Sequence, residues 1–117
     1  MTQDKRFIYE NNGVRFVFAK EGETPEGLAK EFDIKYQRFC EYNLLKHPDE
    51  MVFHSGDMVY LAPLRNKNWK AKKHTVEGGE TLRDIALRFA VNPEKILKKN
   101  GLPKDAKILK GQVLWLR

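Results

Sequence analysis

The stretch Gly79-Glu80-Thr81 occurs twice in this chain, because Gly22-Glu23-Thr24 stands 57 positions earlier. The same interval relates Leu28 to Ile85, Ala29 to Ala86, Phe32 to Phe89, Ile34 to Val91, and Asn43 to Asn100. Farther along, residues 56–61 match residues 111–116 at an interval of 55, so an irregular loop in the first copy is two residues longer. An internal repeat determines architecture, and here it implies two copies of one small folding unit.

Each copy changes from a strand pattern to a helical pattern at its Gly-Glu-Thr stretch. Residues 14–19 form a β-rich run, and the Asn-Gly pair at 12–13 predicts a hairpin with residues 6–10. Thr24 and Thr81 are predicted to cap helices, and each copy continues with a second short helix and a closing strand. The sequence therefore predicts an α+β fold of two tandem βααβ units, each with a two-stranded antiparallel sheet, plus an N-terminal hairpin strand on the first.

The predicted domain boundaries follow from this pattern. Residues 1–13 are an N-terminal extension with the hairpin strand, 14–62 the first repeat, 63–71 a linker, and 72–117 the second repeat. The linker is predicted from its proline and its mostly polar residues. Trp69 in the linker is interpreted either as an inter-repeat packing residue or as an exposed stacking platform, with packing favoured. Trp115 in the last strand is predicted to be a packing residue more than a sugar-stacking one.

Composition limits the function classes. The formal net charge of +6 favours anionic polymers, whether nucleic acid, membrane or acidic cell-wall material, although the cations are spread along the chain. The single cysteine rules out an intramolecular disulfide. The sequence shows no apolar stretch long enough to span a membrane and no signal peptide, so we expect a cell-envelope or periplasmic location only as part of an exported protein.

The second copy resembles the LysM (lysin motif) domain. The resemblance rests on Val76 to Leu82, Ile85-Ala86, Phe89, Asn100-Gly101-Leu102 and Gly111 to Leu114. The first copy is similar but departs from the pattern, with Ala19 for the strand valine and Pro25 for the leucine. The tandem arrangement also looks like the C-terminal part of cell-wall glucosaminidases or amidases of Bacteroidetes-type bacteria.

The resemblance implies binding of N-acetylglucosamine-containing glycans, namely peptidoglycan and also chitin oligomers, in a groove between two loops. One loop joins the first strand to the first helix, and the other joins the second helix to the second strand. The ligand-binding residues carried over are Gly79, Glu80, Thr81, Leu82, Asn100, Gly101 and Leu102 in the second copy and Gly22, Glu23, Thr24, Pro25, Asn43 and Leu44 in the first. The resemblance therefore implies that the partners of this chain are peptidoglycan strands and a covalently attached or associated hydrolase.

The same residues also have structural interpretations. Thr24 and Thr81 are helix caps first, and the neighbouring glutamates are acids that the start of a helix favours. The two asparagines at 43 and 100 are interpreted mainly as residues that brace the end of a helix. The sequence shows no nucleophile–base pair, phosphate loop or metal-ligand cluster, so it predicts no catalytic residue, no metal and no cofactor.

Two other functions stay open beside the glycan-binding module. The basic charge is compatible with a nucleic-acid-binding protein, although no nucleic-acid motif supports it. The departures of the first copy are compatible with a protein-interaction scaffold. Within the leading hypothesis we expect unequal copies: changing Leu82 and Leu102 should weaken glycan retention more than changing Pro25 and Leu44.

Overall fold

A computed structural model describes residues 6–117, so residues 1–5 of the predicted N-terminal extension lie outside the described residues. The chain divides into two compact units, of which the first ends at Pro63 and the second comprises Leu64–Arg117. Each unit has the predicted strand, helix, helix, strand order. The α+β class and the tandem arrangement are confirmed.

The first unit carries an additional N-terminal strand. Its elements are β1 (Tyr9–Asn11), β2 (Val14–Phe18), α1 (Pro25–Glu31), α2 (Tyr36–Tyr42), a 3₁₀ turn (Pro48–Glu50) and β3 (Met58–Tyr60). Within residues 6–63 the strands form one antiparallel sheet in the order β1-β2-β3. Asn12 and Gly13 have positive φ angles of 52° and 86°, as a two-residue hairpin turn requires. The hairpin prediction is confirmed.

The second unit is the simpler copy. Its elements are β4 (Lys73–Thr75), α3 (Leu82–Phe89), α4 (Pro93–Lys99) and β5 (Val113–Trp115). Strands β4 and β5 pair antiparallel, with Lys73 opposite Trp115 and Thr75 opposite Val113. Because side chains alternate along a strand, these four residues share the face opposite the one that carries His74 and Leu114.

Packing holds the short helices. The helices have seven or eight residues, below the roughly 12–15 that an isolated helix needs in water. Leu28 and Ala29 in α1 are buried, as are their counterparts Ile85 and Ala86 in α3. Burying one such leucine or isoleucine contributes roughly 1.5–3 kcal/mol. The 57-residue interval therefore marks equivalent core positions.

Residues 64–71, assigned to a linker from the sequence, are packed into the second unit. The Arg65 N–H donates to the Ala90 carbonyl at 2.9 Å, and the Asn92 N–H donates to the Arg65 carbonyl at 2.8 Å. Asn68 is only 1% exposed, and its N–H donates to the Leu116 carbonyl at 2.7 Å. The polar residues of this segment thus supply hydrogen bonds inside a folded unit.

The preference for packing at the two tryptophans is wrong, and the exposed position is the alternative that the sequence left open for Trp69. Trp69 is 61% exposed and Trp115 is 42% exposed. Asn68, next to Trp69, occupies the buried position of that segment, and Trp115 alternates with Leu114, which is fully buried. Both indole rings therefore contribute to the surface of the second unit.

Candidate functional site

The first candidate loop of the second unit is a tight turn that the Glu80 side chain closes. Gly79 has a φ of 83°, and the Glu80 N–H donates to the Glu77 carbonyl at 3.2 Å. The Glu80 carboxylate accepts hydrogen bonds from the Glu77 N–H at 2.7 Å and contacts His74 Nε2 at 2.8 Å. Arg88 Nη1 lies 3.7 Å from the same carboxylate. Glu80 therefore stabilises this loop from within.

The matching loop of the first unit is closed in the same way but by a different cation. Gly22 has a φ of 85°, and the Glu23 carboxylate accepts from the Lys20 N–H at 2.6 Å. Arg6 binds both carboxylate oxygens of Glu23, and its Nε donates to Glu31 Oε2 at 3.1 Å. The N-terminal segment thus clamps the first loop to helix α1.

These contacts shift the pKa of each glutamate. Hydrogen bonds from Arg6 hold the pKa of Glu23 below its usual range, and the same pairing raises the pKa of Arg6. The pKa of Glu80 is lowered chiefly by the hydrogen bond from the Glu77 N–H and next by His74. Both carboxylates are therefore stabilised in the charged form by the folded loops.

We expect acid to destabilise the first unit partly through Glu23. Its pKa is lowered on folding, so its stabilising contribution is present above its unfolded pKa of about 4.3 and is lost as the pH falls through the lower folded value. Urea unfolding followed by circular dichroism between pH 7 and pH 3 should show a smaller pH dependence in Glu23→Gln. Glu26→Gln, an exposed acid in α1, is the matched control, and equal pH dependence in Glu23→Gln and wild type would contradict the assignment.

Both predicted threonines cap helices. Thr24 Oγ1 accepts from the Gly27 N–H at 3.1 Å, and Thr81 Oγ1 accepts from the Asp84 N–H at 3.1 Å. The Asp84 carboxylate in turn accepts from the Thr81 N–H at 2.9 Å, which completes a capping box. The capping interpretation of both threonines is confirmed.

The asparagines at 43 and 100 join the end of the second helix to the last strand. Asn43 donates to the Phe39 and Tyr60 carbonyls at 3.0 and 2.9 Å and accepts from the Tyr60 N–H at 2.6 Å. Asn100 donates to the Ile96 and Trp115 carbonyls at 2.7 and 3.0 Å and accepts from the Trp115 N–H at 2.8 Å. The bracing interpretation is confirmed, because each amide is engaged by backbone groups of its own unit.

The first helical position differs between the copies. Pro25 is buried at the start of α1, whereas Leu82 at the start of α3 is half-buried. Only the second unit therefore presents part of a leucine side chain beside its first loop.

In both units the residue that follows the C-cap of the second helix has a left-handed backbone conformation. Gly101 has a φ of 62° and Leu44 a φ of 54°. This conformation costs a non-glycine residue roughly 1–2 kcal/mol, so the first copy carries backbone strain where the second does not. After Gly101, the Leu102 N–H donates to the Leu97 carbonyl at 2.9 Å.

Leu102 faces a concavity beside α4. Its volume is about 340 Å³, and it is lined by Glu94, Leu97, Lys98, Leu102 and Lys104. None of these lining residues comes from the first loop, residues 79–82. The structure thus places Leu102 next to α4.

In the first unit, backbone hydrogen bonds join the two candidate loops. The Gly22 N–H donates to the Phe53 carbonyl at 2.9 Å, and the Phe53 N–H donates to the Glu23 carbonyl at 2.7 Å. Phe53 is itself only 5% exposed and belongs to the core. The edges of the first groove are therefore paired with each other.

The second unit lacks this pairing. At the interval of 55 residues, Ile108 is the counterpart of Phe53. Within residues 64–117, neither the Gly79 N–H nor the Ile108 N–H makes a hydrogen bond to the protein. The second unit thus leaves unpaired the two backbone donors, Gly79 N–H and Ile108 N–H, whose counterparts are paired in the first unit.

The second-unit counterparts of Phe53 and His54 were not among the candidate residues predicted from the sequence. The candidate set ended at Leu102, whereas the repeat also points to Ile108, with its unpaired N–H, and to its neighbour Leu109, which is 69% exposed. Extending the 55-residue interval backward from Gly111 would have paired Ile108 with Phe53 and Leu109 with His54.

Over residues 6–117, no helix is both long and apolar enough to cross a membrane. The same residues contain no group of three or more His, Cys, Asp or Glu side chains placed to hold a metal ion.

Comparison with known proteins gives a family match. The profile of the LysM domain matches residues 19–54 and 74–117. The spore cortex-lytic enzyme SleL of Bacillus cereus is 19% identical, with a TM-score of 0.38, over 89% of this chain and 22% of that one. SleL of Bacillus megaterium is 21% identical, with a TM-score of 0.35, over 86% and 21%. The chain thus spans about a fifth of the length of these enzymes. No curated protein sequence matches it.

Proposed function

The chain belongs to the LysM domain family, and from this premise we propose that it is a non-catalytic module that binds glycans containing N-acetylglucosamine. Peptidoglycan is the proposed ligand, and chitin oligomers share the recognised sugar. The observation that carries the proposal is that the Gly79 and Ile108 N–H groups are unpaired within residues 64–117, whereas their counterparts Gly22 and Phe53 are paired.

The chemistry of the groove suits an acetamido sugar. Such a sugar presents a carbonyl and hydroxyl acceptors, an amide donor and an apolar methyl group. The N–H groups of Gly79 and Ile108 are donors for the acceptors, and the Glu80 carbonyl is an acceptor for the amide. Leu82, three residues after Gly79, and Leu109, next to Ile108, have accessible side chains that offer apolar surface for the methyl group. No charged side chain is needed in this interaction.

We propose that the second unit binds and the first mainly supports it. In the first unit, a sugar would have to replace two backbone hydrogen bonds between Gly22, Glu23 and Phe53. Each such bond has a net worth of about 1 kcal/mol, which is a large share of the binding energy of a small groove. The two copies thus share a fold but differ in whether the backbone groups of their two loops are free to bind a ligand.

The proposed role of glycan binding is to tether an attached or associated cell-wall hydrolase. A module that holds its catalytic partner on the polymer raises the effective concentration of substrate around that partner. This role places the chain in the cell envelope as part of an exported protein.

The proposal is tested by co-sedimentation of the purified chain with insoluble peptidoglycan, chitin and cellulose. We expect retention on peptidoglycan and chitin but not on cellulose, whose glucose units lack the acetamido group. Binding of soluble chitin oligomers should persist at high salt, because the groove contacts are uncharged. If the chain bound neither chitin nor peptidoglycan, the proposed function would be overturned.

Leu109→Ala should weaken chitin-oligomer binding about fivefold, since removing one apolar contact costs about 1 kcal/mol. His54→Ala is the matched control, because His54 is the exposed counterpart of Leu109 in the first unit. Isothermal titration of both variants distinguishes the two grooves. A larger loss from His54→Ala would refute the assignment to the second unit.

A further inference from the structure

The outward face of the β4–β5 sheet is exposed and is separate from the two groove loops. Lys73, Thr75, Val113 and Trp115 lie on this face, and all of them are exposed. At the repeat interval, the counterpart of Trp115 is Tyr60, which is fully buried. The exposed indole is therefore a feature of the second copy only.

The second tryptophan lies beside the same sheet. Arg117, two residues after Trp115, donates through Nη1 to the Trp69 carbonyl at 3.2 Å. The Asn68 N–H, one residue before Trp69, donates to the Leu116 carbonyl at 2.7 Å. The segment that carries Trp69 is thus hydrogen-bonded to the end of the chain that carries Trp115.

Each indole ring has ammonium groups close to it. Lys67 Nζ lies 4.1 Å from the centroid of the Trp69 ring. Lys72 and Lys73 Nζ lie 5.8 and 5.6 Å from the Trp115 ring. We call these six residues the basic-aromatic face: Lys67, Trp69, Lys72, Lys73, Trp115 and Arg117.

The chain around this face carries no compensating acid. Residues 64–76 contain Arg65, Lys67, Lys70, Lys72 and Lys73 and no Asp or Glu, and residues 106–117 also lack Asp and Glu. The rest of the chain holds all 16 Asp and Glu and the other 14 of the 22 Lys and Arg. The charge of this face is therefore complementary to an anionic ligand that also offers an apolar surface to the rings.

We propose that the basic-aromatic face binds the carboxylate-bearing peptide stems of peptidoglycan, while the apolar parts of these stems pack against the indoles. This inference rests on the proposed function, because it assigns the face and the groove to one polymer. The glycan backbone of chitin is neutral, so the face distinguishes peptidoglycan from chitin where the groove does not. Two weak contacts on one polymer reinforce each other through effective concentration.

A single-stranded nucleic acid is the competing occupant. Proteins that bind single-stranded nucleic acid combine basic side chains with successive aromatic rings on which the bases stack. On the sheet, the neighbours of Trp115 on this face are Thr75, Val113 and Lys73, and within the described residues its ring makes no contact with the Trp69 ring, so the two indoles form no continuous stacking series. The arrangement favours the carboxylate-bearing glycan, and an oligonucleotide serves as a comparison in the test.

The test compares Lys72→Gln/Lys73→Gln with the charge-matched control Lys30→Gln/Lys35→Gln, whose lysines are exposed in the first unit. We expect the first double variant to bind peptidoglycan sacculi about fivefold more weakly at low salt and the control to match wild type. Both should bind soluble chitin oligomers as wild type does. On sacculi whose carboxylates have been converted to amides, the difference between the variants should disappear.

The two tryptophans of the chain both belong to this face, so intrinsic fluorescence is a second readout. Soluble carboxylate-bearing peptidoglycan fragments should shift the emission, and chitin oligomers should not. Equal binding of both double variants to sacculi, or tighter binding of a single-stranded oligonucleotide that displaces the fragments, would overturn the inference. Loss of chitin binding alone would overturn only the proposed groove, and a Lys72- and Lys73-dependent response to carboxylates would still support the face.

Discussion

Asn68→Ala is expected to destabilise the second unit by about 3 kcal/mol, because three side-chain hydrogen bonds would be lost in a buried position. Asn68 Nδ2 donates to the Phe89 carbonyl at 2.9 Å, and Oδ1 accepts from the Lys70 and Ala71 N–H groups at 2.8 and 2.6 Å. Alanine would leave these backbone groups without their partner. One side chain thus fastens the segment before β4 to the end of α3.

The measurement is chemical unfolding followed by tryptophan fluorescence. Both tryptophans lie in the second unit, so their emission reports on that unit alone. Asn66→Ala is the matched control, since Asn66 is exposed in the same segment. If the two variants unfolded at the same denaturant concentration, residues 64–71 would behave as a linker and the packing described above would carry no stability.

Features set by local sequence were predictable. The caps at Thr24 and Thr81, the hairpin turn at residues 12–13 and the end of α4 near Gly101 depend on residues within four positions of one another. The interval between the copies then identified the equivalent core residues. Local chemistry and repetition therefore determine most of the fold.

Features set by distant backbone partners were not predictable. Asn68 reads as a polar linker residue, and its burial depends on carbonyl groups at Phe89 and Leu116 that only the folded unit places nearby. The pairing of Gly22 with Phe53 likewise depends on the path of a loop more than 25 residues farther along the chain. Whether the two loops of a unit are joined by hydrogen bonds is thus determined by tertiary structure and not by the local sequence.

The second large effect is expected for Asn43→Ala, which should destabilise the first unit by about 3 kcal/mol. Asn43 is 3% exposed and makes hydrogen bonds to the Phe39 and Tyr60 backbone groups. Water cannot easily replace the amide at such a buried position. Removing the side chain therefore leaves the backbone groups that it binds without a hydrogen-bond partner. Asn100→Ala should cost less, about 1–2 kcal/mol, because Asn100 is half-buried and solvent can reach part of its site.

Hydrogen exchange of peptides from each unit measures the two losses separately, with Gln37→Ala, an exposed change in α2, as the control. The same pair of variants also decides whether Asn100 contacts the glycan. If Asn100 only braces helix α4 against β5, Asn100→Ala should bind chitin oligomers within about twofold of wild type at temperatures well below unfolding. If Asn100→Ala weakened chitin binding without lowering the stability of the second unit, Asn100 would be a ligand contact. A purely bracing role would affect binding only through a loss of stability.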